Sequence, residues 1–334
     1  MNIINFIYNS IKYLITPKPT CTMNVDMNIL NSFNDKESLT QFSSKVHILK
    51  IQYNTENTQK LMSIFRYILN SEEISLRVFN LTTEILKISP WTYEVWIIRR
   101  KCLSEIEEIN IYDEIEYINM IILSYPKIYQ VWHHRRLIID RLNECSQEKK
   151  IMEKILIEDS KNFHCWSHRI WMIRRFNNIE GEFDFIDKLL ENDIKNNSVW
   201  NYRFFLVEYM NNNNTNMNII KNEIKYALNK IKICLLNESP YNYIIGFINK
   251  YKRKYKEFKE EINELELLYN NKKKKENIND YKFILKILLE YYEEDKDSNK
   301  FNNIIEQLIE IDFIRKKYYL WRKNNFNHKK DLII

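Results

Sequence analysis

Five segments of this 334-residue chain align on one aromatic position, and that alignment restricts the fold more than any other feature. They read WTYEVWIIRRKCL (91–103), KIYQVWHHRRLII (127–139), KNFHCWSHRIWMI (161–173), KNNSVWNYRFFLV (195–207) and LNESPYNYIIGFI (236–248). Trp96, Trp132, Trp166, Trp200 and Tyr241 share the position, at spacings of 36, 34, 34 and 41 residues. The last interval is longer because it holds the polar insertion NNNNTNMN. A period near 34 suits two helices of about 12 residues with short connections. One such hairpin cannot bury its apolar face alone, whereas a stack can. The spacing therefore predicts an all-α fold, an α-α superhelix of stacked, TPR-like helical hairpins. Residues 1–45 read as an N-terminal extension and 46–334 as one helical-repeat domain, with a terminal motif near 312–322.

Composition agrees. Two glycines and five prolines leave little material for the turns of sheets or barrels. The net charge of +6 permits acidic or phosphate partners without approaching the balance of a nucleic-acid-binding domain. The lysine run 272–275, in NKKKKEN, reads as a solvated loop. Cys21, Cys102, Cys145, Cys165 and Cys234 are odd in number and form no C-x-x-C pair, so a reducing compartment is expected. The opening MNIINFIYNSIKYLITPKPTC lacks the form of a secretory signal, and no apolar run elsewhere reaches the roughly 18–20 residues of a bilayer span. The ending HKKDLII has no cysteine for prenylation. A cytoplasmic location is expected.

Within each copy, Val131, Trp132, Arg135 and Ile138 or Ile139 recur at helical spacing on one face, which reads as core. Arg99, Arg135, Arg169 and Arg203 follow the tryptophan by three residues and point inward with it. A buried guanidinium needs a counter-charge, and Asp159 and Asp193, seven residues before a tryptophan, are the expected partners. His133 and His134 are adjacent on a helix and diverge by about 100°, so they form no metal pair. No metal site is expected in this chain.

Two register positions escape the core pattern. Two residues before the aromatic stand Glu94, Gln130, His164, Ser198 and Ser239, all polar. Five residues before the tryptophan stand Lys127, Lys161 and Lys195, close to helix N-termini that already favour anions. Taken singly, each is an ordinary surface residue. Stacked helices lie about 8–10 Å apart, so Gln130 and His164 are expected as neighbours along one edge.

The four tryptophan segments, with LNSEEISLRVFNLTTEILKISPWTYEVW upstream and IDFIRKKYYLW downstream, resemble the repeats of the protein prenyltransferase alpha subunits, whose signature is close to N-Y-x-x-W-x-x-R. The likeness runs over about residues 50–325. YQVWHHRR and NNSVWNYR are most similar to the alpha subunit shared by protein farnesyltransferase and protein geranylgeranyltransferase type I, and NFHCW also resembles the Rab geranylgeranyltransferase alpha subunit. Ile128 departs from the usual Asn, Tyr241 from the usual Trp, and Pro240 from a small residue.

The resemblance implies a heterodimer whose beta subunit carries the catalytic zinc and most of the isoprenoid pocket, with magnesium a candidate companion of the diphosphate. The reaction it implies moves an isoprenoid from its diphosphate to the cysteine of a C-terminal CaaX protein. It assigns Lys127 to the departing diphosphate, His164 to the same group, Gln130 to the free carboxylate of the CaaX peptide, and Tyr129 to the wall beside it. A non-catalytic TPR-like scaffold and an RNA-processing repeat protein remain alternatives, though the modest charge and the absence of basic faces at repeat spacing disfavour RNA. The resemblance implies that the beta partner fixes the isoprenoid length.

Overall fold

The computed structural model describes residues 26–34, 56–211, 216–273 and 281–331, with the side chains of 272–273 and 328–331 left out. The opening 21 residues, the tip of the insertion and the side chains of the lysine run lie outside the described residues. Among those described, every regular element is helical. The chain divides into two compact units, 1–151 and 152–334.

The first unit holds α1 (Met27–Asn31), α2 (Glu56–Ser71), α3 (Leu76–Ile88), α4 (Tyr93–Glu105), α5 (Ile111–Ser124) and α6 (Tyr129–Leu142). There α3 packs on α4, α5 on α6, and α4 on α6. Helix α7 (Glu148–Glu158) contains the boundary. The second unit continues with α8 (Phe163–Phe176), α9 (Glu182–Asn192), α10 (Asn197–Met210), α11 (Met217–Ile233) and α12 (Glu238–Lys250). It ends with α13 (Lys259–Lys273), α14 (Lys282–Asp295), α15 (Ser298–Ile311) and α16 (Lys316–Asp331). In this unit α8 packs on α10, α10 on α12, and α14 on both α12 and α15. Each aromatic segment is thus the second helix of a hairpin.

Asparagines start many of these helices. Asn110, Asn162, Asn196, Asn216 and Asn237 each accept a backbone N–H of the first turn, satisfying donors the helix itself cannot. Asn143 and Asn177 end α6 and α8 in the left-handed conformation, which asparagine tolerates. The two glycines have specific places. Gly181 opens α9 at φ 73°, and a Cβ on Gly246 would sit 3.0 Å from the Phe204 ring, so its absence lets α12 lie close against α10.

The shared aromatic is buried in every copy, no more than 6% exposed. It also makes one recurring hydrogen bond. The indole N–H of Trp96, Trp132, Trp166 and Trp200 donates to the carbonyl six residues earlier, on Pro90, Pro126, Ser160 and Ile194, at 2.8–2.9 Å. Tyr241 keeps the bond through its hydroxyl, 3.0 Å from Leu235 O. Each aromatic therefore ties its helix to the turn before it.

The repeated arginines are buried and paired, with partners other than the expected aspartates. Arg99 grips both carboxylate oxygens of Glu114 at 2.7 and 2.5 Å, and Arg135 grips Glu148 at 2.9 and 2.6 Å. Arg169 takes Glu182 at 2.7 and 3.0 Å, and Arg203 takes Glu223 at the same distances. Every acid lies on the following helix. The carboxylates of Asp159 and Asp193 instead accept the backbone N–H of Lys161 and Lys195, two residues on. The geometry explains the difference: an inward arginine meets the next helix of the stack, not the turn at its own helix start.

Three of those glutamates also bind the next repeat. Glu114 takes a 2.7 Å bond with His134, Glu182 accepts the Tyr202 hydroxyl at 2.7 Å, and Glu223 accepts that of Tyr243 at 2.7 Å. Burial pushes the His134 imidazole below its usual pKa. Burial would push the Glu114 carboxyl up, but the His134 hydrogen bond and the Arg99 charge reverse this and hold it low. Neutral histidine donating to a glutamate already neutralised by arginine is the consistent state.

Candidate functional site

Each aromatic helix begins in a short turn, and the polar register positions gather there. In the first unit Tyr125 O accepts the Ile128 N–H at 3.2 Å, which closes the turn carrying Lys127. Lys127 is exposed within this turn, immediately before the first turn of α6. Tyr129 opens that helix 59% exposed, and its ring stacks on His133, with centroids 5.9 Å apart and planes 7° from parallel. Burial lowers the pKa of His133, and Arg100 and Arg136 add to the effect.

Gln130 is half-buried and has a structural contact that periodicity did not suggest. Its Nε2 donates to Trp91 O at 3.1 Å, reaching back to the turn of the preceding repeat. Elsewhere this link is made by the capping asparagine. Asn196 Nδ2 donates to Ser160 Oγ at 2.9 Å, and Asn237 Nδ2 to Ile194 O at 2.8 Å. At α6 the capping position is Ile128, which makes no side-chain cap. Gln130 supplies the inter-repeat bond that an asparagine at 128 would have made.

In the second unit His164 takes the corresponding place in the first turn of α8, half-buried, with Phe163 edge-on at 5.6 Å and itself 76% exposed. Asn162 anchors this start by accepting the Cys165 N–H at 2.9 Å. Burial lowers the His164 pKa, so at neutral pH the ring is an uncharged donor and acceptor. Lys127, Tyr129 and Gln130 thus come from one turn and one helix start, and His164 from the equivalent start in the other unit.

Sequence reasoning missed the aromatic character of this edge. Trp91 stands at the register of Lys127 and is 58% exposed, and Tyr93, at the register of Tyr129, is 49% exposed. The signal was present in the column three residues before the shared aromatic, which reads Tyr93, Tyr129 and Phe163 in the first three copies before turning polar at Asn197 and Glu238. Among the described residues, no group of three or more His, Cys, Asp or Glu is placed to hold a metal ion. At these helix N-termini the first unit offers a lysine, an amide and exposed rings, and the second a neutral imidazole beside an exposed ring, groups suited to anions and to apolar groups beside them.

Comparison with known proteins gives the same frame. A family profile described as protein prenyltransferase alpha subunit repeat matches residues 111–142, 145–176 and 179–210, each a leading helix followed by an aromatic one. The protein farnesyltransferase/geranylgeranyltransferase type-1 subunit alpha of Schizosaccharomyces pombe is 33% identical over 126 residues, 37% of this chain and 42% of that one. Its Candida albicans counterpart is 29% identical over 119 residues, 34% of this chain and 39% of that one. These alignments span about two-fifths of the length of the curated relatives. A solved structure, Candida albicans protein geranylgeranyltransferase-I complexed with GGPP, matches with a TM-score of 0.71 at 28% identity, covering 85% of this chain and 95% of that one.

Proposed function

We propose that the chain is a protein prenyltransferase alpha subunit, the alpha chain of a heterodimeric farnesyl- or geranylgeranyltransferase of type I. The observation that carries this reading is the likeness, over 85% of the chain, to a geranylgeranyltransferase-I structure. On this reading the protein is an enzyme only with a beta subunit, which holds the zinc, and it works in the cytoplasm.

The proposed reaction breaks the bond between isoprenoid C1 and the diphosphate oxygen and forms a bond from C1 to the sulfur of a CaaX cysteine. The thiol loses its proton and the diphosphate leaves. Negative charge grows on the diphosphate as the bond breaks, so a cation there stabilises the transition state more than the ground state. Lys127 is the proposed cation. His164, kept neutral by burial, donates a hydrogen bond to the same group. Gln130 has two amide N–H donors. The one that binds Trp91 O orients the amide, and the second is offered to the peptide carboxylate. Tyr129 forms the wall beside it.

Co-expression with candidate beta subunits tests this. A stable one-to-one complex that transfers farnesyl or geranylgeranyl to a CaaX peptide is expected, with no transfer by the chain alone. Failure to form a complex with any such beta subunit, or transfer without one, refutes the reading.

A further inference from the structure

The end of the second unit leaves a face that is both apolar and basic in contact with water. A 3-10 turn, Phe313–Arg315, leads into α16, and residues 313 to 318 are exposed at every position. Ile314 is 91% exposed, Phe313 76% and Trp321 61%, with Tyr318 and Leu320 also open. The rings of Tyr318 and Trp321 stack at 6.3 Å, so they form one surface. The cations Lys316 and Lys317 lie between these side chains, and Arg315 pairs with Asp312 at 2.9 Å.

The opposite stripe of α16 is firmly held. Tyr319 donates its hydroxyl to Asp312 at 3.0 Å, Arg322 pairs with Glu290 at 2.6 Å and with Glu293, and Phe326 stacks on Phe301 at 4.0 Å. The exposed stripe is therefore presented by an anchored helix. Of the acids near the turn, Asp312 is held by Arg315 and Tyr319, Glu306 is taken by Lys323 at 2.7 Å, Glu310 stands two residues before Asp312, and Glu238 acts on Arg315 from α12.

We propose that this face docks reversibly on an anionic phospholipid surface. Five exposed large apolar side chains within residues 313–321, two of them stacked, are more than the scattered apolar exposure of ordinary proteins. Its charge selects the occupant. Lysine is depleted from protein–protein interfaces, whereas at a bilayer surface Trp and Tyr sit at headgroup depth, Phe and Ile enter the acyl boundary, and lysine stems lie along the apolar layer with their ammonium groups among lipid phosphates. Among the described residues no helix is long and apolar enough to cross a membrane, so the contact is one that lies on the surface. None of the residues assigned to prenyl transfer takes part, and the proposal stands independently of that assignment.

The test is vesicle co-sedimentation of the full chain, alone and with a beta subunit, on phosphatidylcholine vesicles with and without phosphatidylserine. Binding that requires phosphatidylserine and weakens with salt is expected. Lys316→Ala with Lys317→Ala should reduce it by about fivefold per lysine, and Phe313→Ser with Ile314→Ser by roughly tenfold or more, with the circular dichroism spectrum unchanged. The lysine variant lies wholly on the exposed face and keeps the test sound if the apolar variant fails to fold. No binding, or equal binding to both vesicles, overturns the proposal. So does a heterodimer that ignores vesicles the free chain binds, because the face then belongs to a protein partner.

Discussion

Replacing Glu182 by Gln should be among the more damaging conservative changes in the second unit, and the structure sets its size. Glu182 is fully buried and accepts three hydrogen bonds, two from Arg169 and one from Tyr202. A glutamine keeps the shape but removes the charge and leaves a single acceptor oxygen for three donors. Breaking a buried ion pair costs about 3–5 kcal/mol, chiefly because the remaining charge stays in a poor solvent. Glu153, 3.7 Å from Arg169 and 43% exposed, recovers little of this. Glu223→Gln supplies the internal comparison. Arg203 retains Asp187 at 2.8 Å, and Glu223 is itself 13% exposed, so a loss of about 1–2 kcal/mol is expected there. Urea unfolding followed by far-ultraviolet circular dichroism, with an unchanged m-value, reads the difference. Replacing Arg169, Glu182 and Tyr202 together by Met, Leu and Phe should recover most of the loss, since an apolar set of similar volume avoids the desolvation cost. The reasoning fails if Glu223→Gln is the more damaging, or if Glu182→Gln costs less than about 1 kcal/mol.

Three further outcomes are expected. Trp96→Phe should cost about 1 kcal/mol more than Trp200→Phe, because Ile194 O keeps the Asn237 amide while Pro90 O loses its indole donor; the two urea midpoints decide it. The folded-state pKa values of His134 and Glu114 are both depressed, so their contributions are present above the unfolded values and lost as pH falls; the first loss should begin below about pH 6.5, the histidine range, and His134→Tyr, which copies the later repeats, should flatten the urea midpoint between about pH 5 and 6.5. In an active heterodimer, Lys127→Ala should lower the single-turnover rate by about one to three orders of magnitude with diphosphate affinity retained, whereas Gln130→Ala should mainly weaken CaaX peptide binding; a wild-type rate in the lysine variant would leave the chain a scaffold only.

The helix starts and the buried aromatic face were legible because both repeat in one column each, and a column needs no long-range knowledge. The arginine partners were not. Asp159 and Asp193 in the turns stand closer in sequence, while the true partners lie on the next helix, at Glu114, Glu148 and Glu182, 13 to 15 residues beyond their arginines. The insertion after α10 moves Glu223 to 20 residues, which breaks the column at the copy where it would have been checked. Tyr241 is the reverse case. It looked like degeneration of the repeat, yet its hydroxyl reaches the carbonyl six residues back as the indoles do. What recurs there is a buried aromatic donor, of which tryptophan is one form.

Gln130 shows why the candidate site was harder to read than the fold. A polar residue in a variable column suggests a ligand, and the absence of asparagine at 128 suggests a weakened turn. The structure joins the two, since the amide of Gln130 bonds to the turn that Ile128 cannot reach. A side chain held in this way has its orientation settled before any ligand arrives, and a binding amide needs that fixed orientation. Gln130→Asn should separate the two duties, because the shorter side chain keeps both amide donors but falls about one carbon–carbon bond short of Trp91 O. If the clamp is what orients the amide, that variant should lose peptide affinity nearly as far as Gln130→Ala does. Retention of wild-type peptide affinity by Gln130→Asn would mean that the contact to Trp91 serves stability alone.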